Sequence, residues 1–140
     1  MKRNVYRPNF EKRGGLITVV VQNAKTGQVL MVAYSDEAAW RKTLETGLLS
    51  LYSTSRKKMW VKGEESGNFM KVEEIYIDCD GDAVIYQVEP CGSKVACHTE
   101  AVTCFYRSLG IQTLSAPKAG TGEELPTVEA EVHEQLWDAN

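Results

Sequence analysis

One stretch of the chain, from Asp78 to Cys104, carries most of the side chains that bind metal ions, and the rest of the fold must hold it in place. It contains all four cysteines of the 140-residue protein, one of its two histidines and three aspartates at alternate positions. The cysteines are Cys79, Cys91, Cys97 and Cys104. Thiolates select soft metals and carboxylates select hard ones. The stretch therefore predicts one site of each kind.

The three aspartates, Asp78, Asp80 and Asp82, suggest a site for a hard cation. Side chains alternate across a strand, so these three would share one face while Cys79 points to the other. Carboxylates this close stay ionised together only when a cation neutralises them, and oxygen ligands suit Mg²⁺, Mn²⁺ or Ca²⁺. A solvated acidic turn around Gly81 explains the spacing equally well.

Cys97 and Cys104 predict a zinc site and a folded connection between its ligands. In one straight helix they would lie ~10 Å apart along the axis. Two thiolates on one zinc lie within roughly 4 Å of each other, so the residues between them must turn back. Cys79 is the natural third ligand, which leaves a fourth position open, as in catalytic zinc sites. The alternative is that these cysteines are small buried hydrophobic residues.

His98 lies next to Cys97 and has three candidate roles: fourth zinc ligand, general base or structural histidine. Adjacent residues rarely both reach one small ion, so we interpret His98 as a base or proton shuttle beside a zinc-activated water. If Cys79 faces away from the aspartates, its zinc need not lie beside them. One resolution is a homodimer in which Cys79 completes the zinc site of the other subunit.

Charge and hydropathy limit the classes of partner and the compartment. The longest apolar run, residues 16–21, is far too short to span a membrane, and the N-terminus has no apolar signal region. We therefore expect a cytoplasmic protein with reduced thiols. The net charge of −3 argues against nucleic-acid binding. Residues 115–140 hold one lysine against six carboxylates, a net −5, which leaves +2 on residues 1–114 and suits a small anionic substrate.

Hydrophobic periodicity predicts an α+β, β-rich domain with one or two helices and mostly antiparallel strands in a bent sheet or partial barrel. A helix begins after Ser35 or Asp36 and ends at Gly47, with Trp40 and Leu44 on its inward face. Strands are predicted over residues 16–22, 28–34, 48–54, 59–62, 72–79, 83–88 and 103–109.

The two ends of the chain differ from its centre in composition. Residues 1–13 are polar and basic and predict a poorly ordered or edge segment. We expect residues 1–110 to form the catalytic domain and residues 111–140 to be an acidic C-terminal extension. That extension comprises a linker over residues 116–122 and a short helix, because three apolar side chains recur at helical spacing. These are Val128, Val132 and Leu136.

Four motifs within roughly residues 15–107 follow one another in a characteristic order. They are Lys62-Gly63-Glu64-x-Ser66-Gly67-Asn68, Asp78-Cys79-Asp80-x-Asp82, Ala96-Cys97-His98-Thr99 and Cys104-Phe105-Tyr106-Arg107. Residues 22–34 and 42–47 add two further similar segments. On these motifs the chain resembles the phosphoribosyl-AMP cyclohydrolase family.

The resemblance implies hydrolysis of the purine ring of 1-(5-phosphoribosyl)-AMP at the third step of L-histidine biosynthesis. Zinc-activated water attacks C6 and opens the N1–C6 bond. The family is a homodimer with Zn²⁺, one per subunit, and Mg²⁺ at the interface. By motif position, Cys97 and Cys104 of one subunit and Cys79 of the partner subunit hold zinc, and His98 deprotonates the water. Magnesium falls to the three aspartates, which are Asp78, Asp80 and Asp82.

Contacts to the nucleotide are expected from fixed cations and from a glycine-containing loop. The candidates are Arg56, Lys62, Ser66, Gly67 and Asn68. Among the departures from the family, Glu100 stands where a glycine is usual, and residues 90–95 form a segment about two residues longer. The alternatives are a related zinc hydrolase acting on another purine nucleotide and a non-catalytic zinc-binding module, in which His98 would close the metal site as a fourth ligand.

Overall fold

A computed structural model describes residues 5–110 and 132–134. Within these residues the chain forms eight strands, one α-helix and a single 3₁₀ turn at Phe10–Arg13. The helix α1 spans Glu37–Thr46 and connects the second strand to the third. The strands are β1 (Ile17–Asn23), β2 (Val29–Ser35), β3 (Ser50–Ser53), β4 (Lys58–Val61), β5 (Met70–Ile77), β6 (Ala83–Pro90), β7 (Arg107–Leu109) and β8 (Val132–Glu134).

Six of the strands form one curled sheet in the order β4-β3-β2-β1-β6-β5. Neighbouring strands in this sheet run antiparallel, except for β1 and β6, which run parallel. The two ends of the sheet approach each other, because Leu48, just before β3, pairs with Lys71 of β5. A backbone hydrogen bond of 2.8 Å from Val72 to Gly47 closes the same seam. The prediction of a β-rich α+β fold with a partial barrel is confirmed.

The local signals at both ends of α1 act as predicted. The Asp36 side chain accepts a hydrogen bond of 2.8 Å from the Ala39 backbone, which satisfies one of the free N–H groups of the first turn. Gly47 ends the helix at a φ of 75°, a left-handed conformation that glycine adopts without steric cost. In the described part of the chain, no helix has the length and apolar character needed to cross a membrane.

The inward face of α1 differs from the predicted one. Trp40 does pack against the sheet, and its ring stacks on Tyr86 of β6 with the centroids 6.1 Å apart. Leu44, however, is 55% exposed, so its predicted inward position is wrong. Ala39 and Thr43, one turn apart, form the buried row instead. Leu44 follows Thr43 directly, and one residue rotates a helix by about 100°, which carries Leu44 out of that row.

The hydrophobic core lies on one face of the sheet. Burial alternates along β1 and β6, as expected when one face of a strand packs inward. This burial removes apolar area from water and supplies most of the drive to fold. The fully or nearly fully buried strand residues include Ile17, Val19, Val21, Leu30, Leu51, Met70, Val84, Tyr86 and Val88.

The N-terminal segment is more ordered than predicted. Phe10 is only 3% exposed and belongs to the core cluster, so Phe10–Arg13 is not a poorly ordered or edge segment. The backbone N–H of Asn9 donates to the carbonyl of Gly81 across 2.7 Å. The buried aromatic ring and this hydrogen bond fix the segment against the β5–β6 turn.

The region after Cys97 also differs from the prediction. Only Arg107–Leu109 of the predicted strand 103–109 is extended, and it pairs with β8. Thr103 is buried and donates its hydroxyl to the carbonyl of Val29 across 2.8 Å, which anchors an irregular segment. The predicted C-terminal helix is wrong at Val132, which lies in β8. The rest of that helix and the predicted linker lie outside the described residues, and the domain boundary stays a prediction.

Candidate active site

The three aspartates converge in the turn between β5 and β6. Ligand oxygens of Asp78, Asp80 and Asp82 lie within 4.8 Å of one another. The predicted cause of this convergence, the alternation of side chains along a strand, is wrong. β5 ends before Asp78 and β6 begins after Asp82, so the three aspartates do not lie in a strand. Gly81, at a φ of 77°, lets the chain reverse and bring the carboxylates to one side. Such a group of oxygens suits a hard divalent cation.

Two cations from the N-terminal segment lie against this cluster. Arg13 Nε donates to Asp82 Oδ2 across 2.8 Å, and Lys12 bonds Asp80 while lying 3.6 Å from Asp82. The bond from Arg13 lowers the pKa of Asp82 to about 2, against the opposing effect of desolvation. Desolvation, together with the neighbouring carboxyls, raises the pKa of Asp78. The carboxylates therefore have counter-charges within the chain itself.

Sequence reasoning missed Lys12 and Arg13 as members of this site. The basic character of residues 1–13 was visible, but nothing local indicated their partners. Arg13 and Asp82 are 69 positions apart in the chain, and only the docking of Phe10 brings them together. A contact at that separation leaves no periodicity or turn signal in the sequence.

Cys97 and Cys104 lie at the two ends of a segment that turns back on itself. Its backbone hydrogen bonds run from Cys97 N to Ala101 O (3.1 Å) and from Ala96 N to Val102 O (3.2 Å). No continuous helix connects the two cysteines, and each cysteine lies close enough to shift the pKa of the other. The predicted reversal of the chain is confirmed.

The two thiols have opposite protonation preferences. Desolvation works to raise the pKa of Cys97, but the hydrogen bonds from Thr99, the neighbouring Cys104 thiol and the charge of Lys62 bring the pKa below its ordinary value. The Thr99 hydroxyl lies 3.0 Å from Cys97 Sγ. Desolvation and the nearby Cys97 sulfur raise the pKa of Cys104 to about 11. A thiolate beside a thiol suits a soft cation, whose binding would displace the thiol proton.

Cys79 does not complete this thiol pair within the same chain. It is exposed, and the only convergent group of three candidate ligands among the described residues is the aspartate cluster. Of the three predicted zinc ligands, Cys97 and Cys104 therefore lie together, and Cys79 of the same chain lies apart from them. Their assignment to zinc stays a prediction.

A cleft of about 290 Å³ opens beside Cys97, one member of the thiol pair. It brings the predicted catalytic histidine together with four of the five predicted substrate contacts. Gly67 does not line it, and neither do Cys79, Cys104 and the three aspartates. The lining residues are Arg56, Trp60, Val61, Lys62, Gly63, Glu64, Glu65, Ser66, Asn68, Val95, Cys97, His98 and Glu100.

The charge of Lys62, in the cleft wall, acts on both thiols of the pair. Its ammonium donates to the carbonyl of Ala96 across 2.5 Å and lies 5.9 Å from the centroid of the Trp60 ring. Desolvation lowers the pKa of Lys62, and the two cysteines oppose that shift. The side chain thus joins β4 to the segment that carries Cys97, besides presenting a positive charge to the cleft.

Comparison with known proteins identifies the family of this half-barrel with its paired thiols and convergent carboxylates. The family model for phosphoribosyl-AMP cyclohydrolase matches residues 31–106, and the chain belongs to that family. A phosphoribosyl-AMP cyclohydrolase of Methanoregula boonei is 58% identical over 96 residues, 69% of this chain and 76% of the relative. One of Cenarchaeum symbiosum is 48% identical over 109 residues, 78% of this chain and 99% of the relative.

A longer relative extends the comparison. The histidine biosynthesis bifunctional protein HisIE of Deinococcus radiodurans is 45% identical over 128 residues, which make up 91% of this chain and 56% of that protein.

Proposed function

We propose that this protein hydrolyses 1-(5-phosphoribosyl)-AMP, opening the purine ring between N1 and C6 at the third step of L-histidine biosynthesis. Family membership and the names of its relatives support this reaction. The observation that carries the proposal is the cleft, because Arg56 and Lys62 share it with Cys97 and His98. Fixed cations for a phosphate and a metal-ligating thiol beside a base are the parts that such a hydrolysis needs.

Each group of site residues has a separate role in the proposed reaction. Arg56, Lys62 and the loop of residues 63–68 bind the phosphate and ribose, which leaves the purine against the wall that carries His98. His98 takes the proton of the attacking water, since an imidazole is the side chain suited to proton transfer near neutral pH. Zinc held by Cys97 and Cys104 would supply a Lewis acid that activates water. Magnesium is assigned to the cluster of Asp78, Asp80 and Asp82, whose oxygens suit it.

The third zinc ligand is proposed to be Cys79 of the partner subunit, in a homodimer. The outward face of the sheet supports self-association. Val20 of β1 is paired with Val32 of β2 on one side and with Ile85 of β6 on the other. Ile85 is in turn paired with Tyr76 of β5. Val32 and Tyr76 are 46% and 53% exposed, and Val20 and Ile85 are partly exposed, so an apolar row crosses four strands on this face. A second copy of the chain would bury this row.

Two expectations from the sequence belong to the same proposal. The enzyme works in the cytoplasm, where its thiols stay reduced. Residues 1–110 form the catalytic domain, and residues 111–140 form an acidic extension.

The decisive experiment follows phosphoribosyl-AMP by ultraviolet absorbance with the zinc-loaded protein. We expect turnover that disappears when zinc is removed by a chelator and returns when zinc is added. The His98→Gln variant, at full zinc occupancy, should lose most of kcat and retain substrate binding. No turnover of wild-type protein at full zinc occupancy would instead favour a non-catalytic zinc-binding module. Turnover of another purine nucleotide alone would favour a related hydrolase.

A further inference from the structure

Two walls of the cleft are joined by a side-chain clasp between Asn68 and Ser93. Asn68 Oδ1 accepts two hydrogen bonds from Ser93, one from its hydroxyl at 2.8 Å and one from its backbone N–H at 2.9 Å. The backbone N–H of Cys91 adds a bond of 2.8 Å to the carbonyl of Phe69. The turn after β6 is thereby fastened to the end of the 63–68 loop.

The backbone at this junction is packed tightly enough to exclude a methyl group. A Cβ added to Gly92 would lie 2.6 Å from Asn68 Oδ1 and 2.7 Å from the carbonyl oxygen of Gly67. Gly92 also has a φ of 67°, a conformation that L side chains rarely adopt. Only glycine at this position lets the turn approach the loop closely.

The clasp lies where the two cleft walls meet. The 63–68 loop forms one wall, and residues 95–100, which carry Cys97 and His98, form the other. The clasped turn leads directly into the second wall, with Val95 only two residues after Ser93. The position of the loop relative to His98 therefore depends on this junction.

Asn68 was predicted to contact substrate, and its carbonyl oxygen is already engaged. An amide oxygen accepts two hydrogen bonds at most in good geometry, and Ser93 supplies both. The NH₂ group of Asn68 is therefore the part of its side chain that can bind substrate in the cleft, and the two bonds from Ser93 hold it in one orientation.

We propose that Ser93 is a positioning residue for substrate binding: through Asn68 it fixes the phosphate-binding loop of residues 63–68 relative to the wall that carries His98. This inference rests on the proposed function for its substrate. Ser93 itself does not line the cleft. Its effect is on the ordering of the loop, which otherwise costs conformational entropy each time the substrate binds.

The first test is kinetic, on the zinc-loaded protein. Loss of one hydrogen bond predicts that Ser93→Ala raises KM for phosphoribosyl-AMP by about three- to tenfold, with kcat and zinc content within twofold of wild type. Ser93→Thr, which keeps the hydroxyl, should restore KM. The control Ser108→Ala changes an exposed serine of β7 and should change nothing. An unchanged KM in Ser93→Ala, or a loss confined to kcat or zinc content, overturns the proposal.

A pair of glycine variants separates the clasp from backbone strain. Gly92→Ala and Gly27→Ala place an alanine at similar positive φ angles, 67° and 77°, but the added Cβ at Gly27 meets nothing within 4 Å. We expect Gly92→Ala to raise KM at least as much as Ser93→Ala, and Gly27→Ala to leave KM unchanged. Equal KM values for the two glycine variants contradict the clasp.

Amide hydrogen exchange distinguishes failure of the clasp from failure of the proposed function. Ser93→Ala should speed exchange several-fold in peptides that cover residues 63–68 and leave β1 and β2 unaffected. If the wild-type protein turns over no phosphoribosyl-AMP, the proposed function is wrong, yet the exchange rates still decide whether Ser93 holds the loop. Unchanged exchange in the loop refutes the role of Ser93 regardless of activity.

Discussion

The hydroxyl of Thr99 donates a hydrogen bond to the sulfur of Cys97 across 3.0 Å. The acceptor is the cysteine whose pKa is lowered, and the donor is two residues further along the same reversed segment. Hydrogen bonds to a thiolate stabilise its charge and orient its lone pairs, which is how outer groups tune a metal ligand.

Replacing Thr99 should therefore weaken zinc binding without removing a ligand. We expect Thr99→Val to raise the Kd for zinc by about tenfold, because a hydrogen bond to a charged group contributes ~1.5 kcal/mol. Competition with a chromogenic chelator measures this Kd. Thr99→Ser keeps the hydroxyl and serves as the matched control, so an equal loss in both variants would assign the effect to packing of the Thr99 methyl group.

The thiol pair and the aspartate cluster should be separable by mutation. Cys104→Ser should lose zinc and activity together, with a loss of affinity beyond the roughly 100-fold that outer groups cause. Asp80→Ala should lose activity and keep its zinc, because Asp80 belongs to the other ligand group. Metal analysis of purified variants, paired with turnover, checks both results. Loss of zinc in Asp80→Ala would show that the two groups form a single site.

A shared zinc site makes a specific prediction for mixed subunits. Cys79→Ser and Cys104→Ser homodimers each lack a ligand at both sites. In a hybrid dimer, the Cys79→Ser subunit still has Cys97 and Cys104, and the Cys104→Ser subunit still has Cys79. Together these three cysteines form one intact zinc site. Random reassortment of equal amounts makes half of the dimers hybrid, each with one intact site, so activity should recover to about a quarter of wild type. Failure to recover, with hybrids present by native mass spectrometry, excludes a shared site.

The parts of the fold that local sequence determines were predictable. The β1–β2 hairpin follows from turn residues between two β-branched runs, and α1 follows from its caps at Asp36 and Gly47. The reversal between Cys97 and Cys104 followed from a length argument that needs no structure. In each case the deciding information lies within about ten residues.

Contacts between distant parts of the chain were not predictable. Thr103 was assigned to a strand because it is β-branched, yet its hydroxyl reaches Val29, 74 positions away, and tertiary packing overrides propensity there. The clasp between Asn68 and Ser93 and the ion pair between Arg13 and Asp82 are of the same kind. None leaves a periodic or turn signal, so a single sequence does not reveal them.

Lys12 should compete with a divalent cation for Asp80. Both side chains of the pair are exposed, and ion pairs of this kind contribute little to stability. We therefore expect Lys12→Met to tighten Mn²⁺ binding by about two- to fivefold, measured by electron paramagnetic resonance titration of free Mn²⁺. Lys25→Met, at an exposed lysine of the β1–β2 turn, is the control for a general change of charge. Equal effects of the two variants would mean that Lys12 acts only through net charge.

Glu100 adopts a φ of 69°, the left-handed conformation that costs a residue with a side chain 1–2 kcal/mol and glycine almost nothing. Glycine also makes the unfolded chain more flexible, which offsets about half of that gain. We therefore expect Glu100→Gly to raise the free energy of unfolding by about 0.5–1 kcal/mol in urea titrations of the metal-free protein. Glu100→Ala removes the same carboxylate but keeps the strained backbone, so it should not stabilise. If the alanine variant is as stable as the glycine variant, the destabilisation comes from the charge of Glu100 in the cleft wall and not from its backbone conformation.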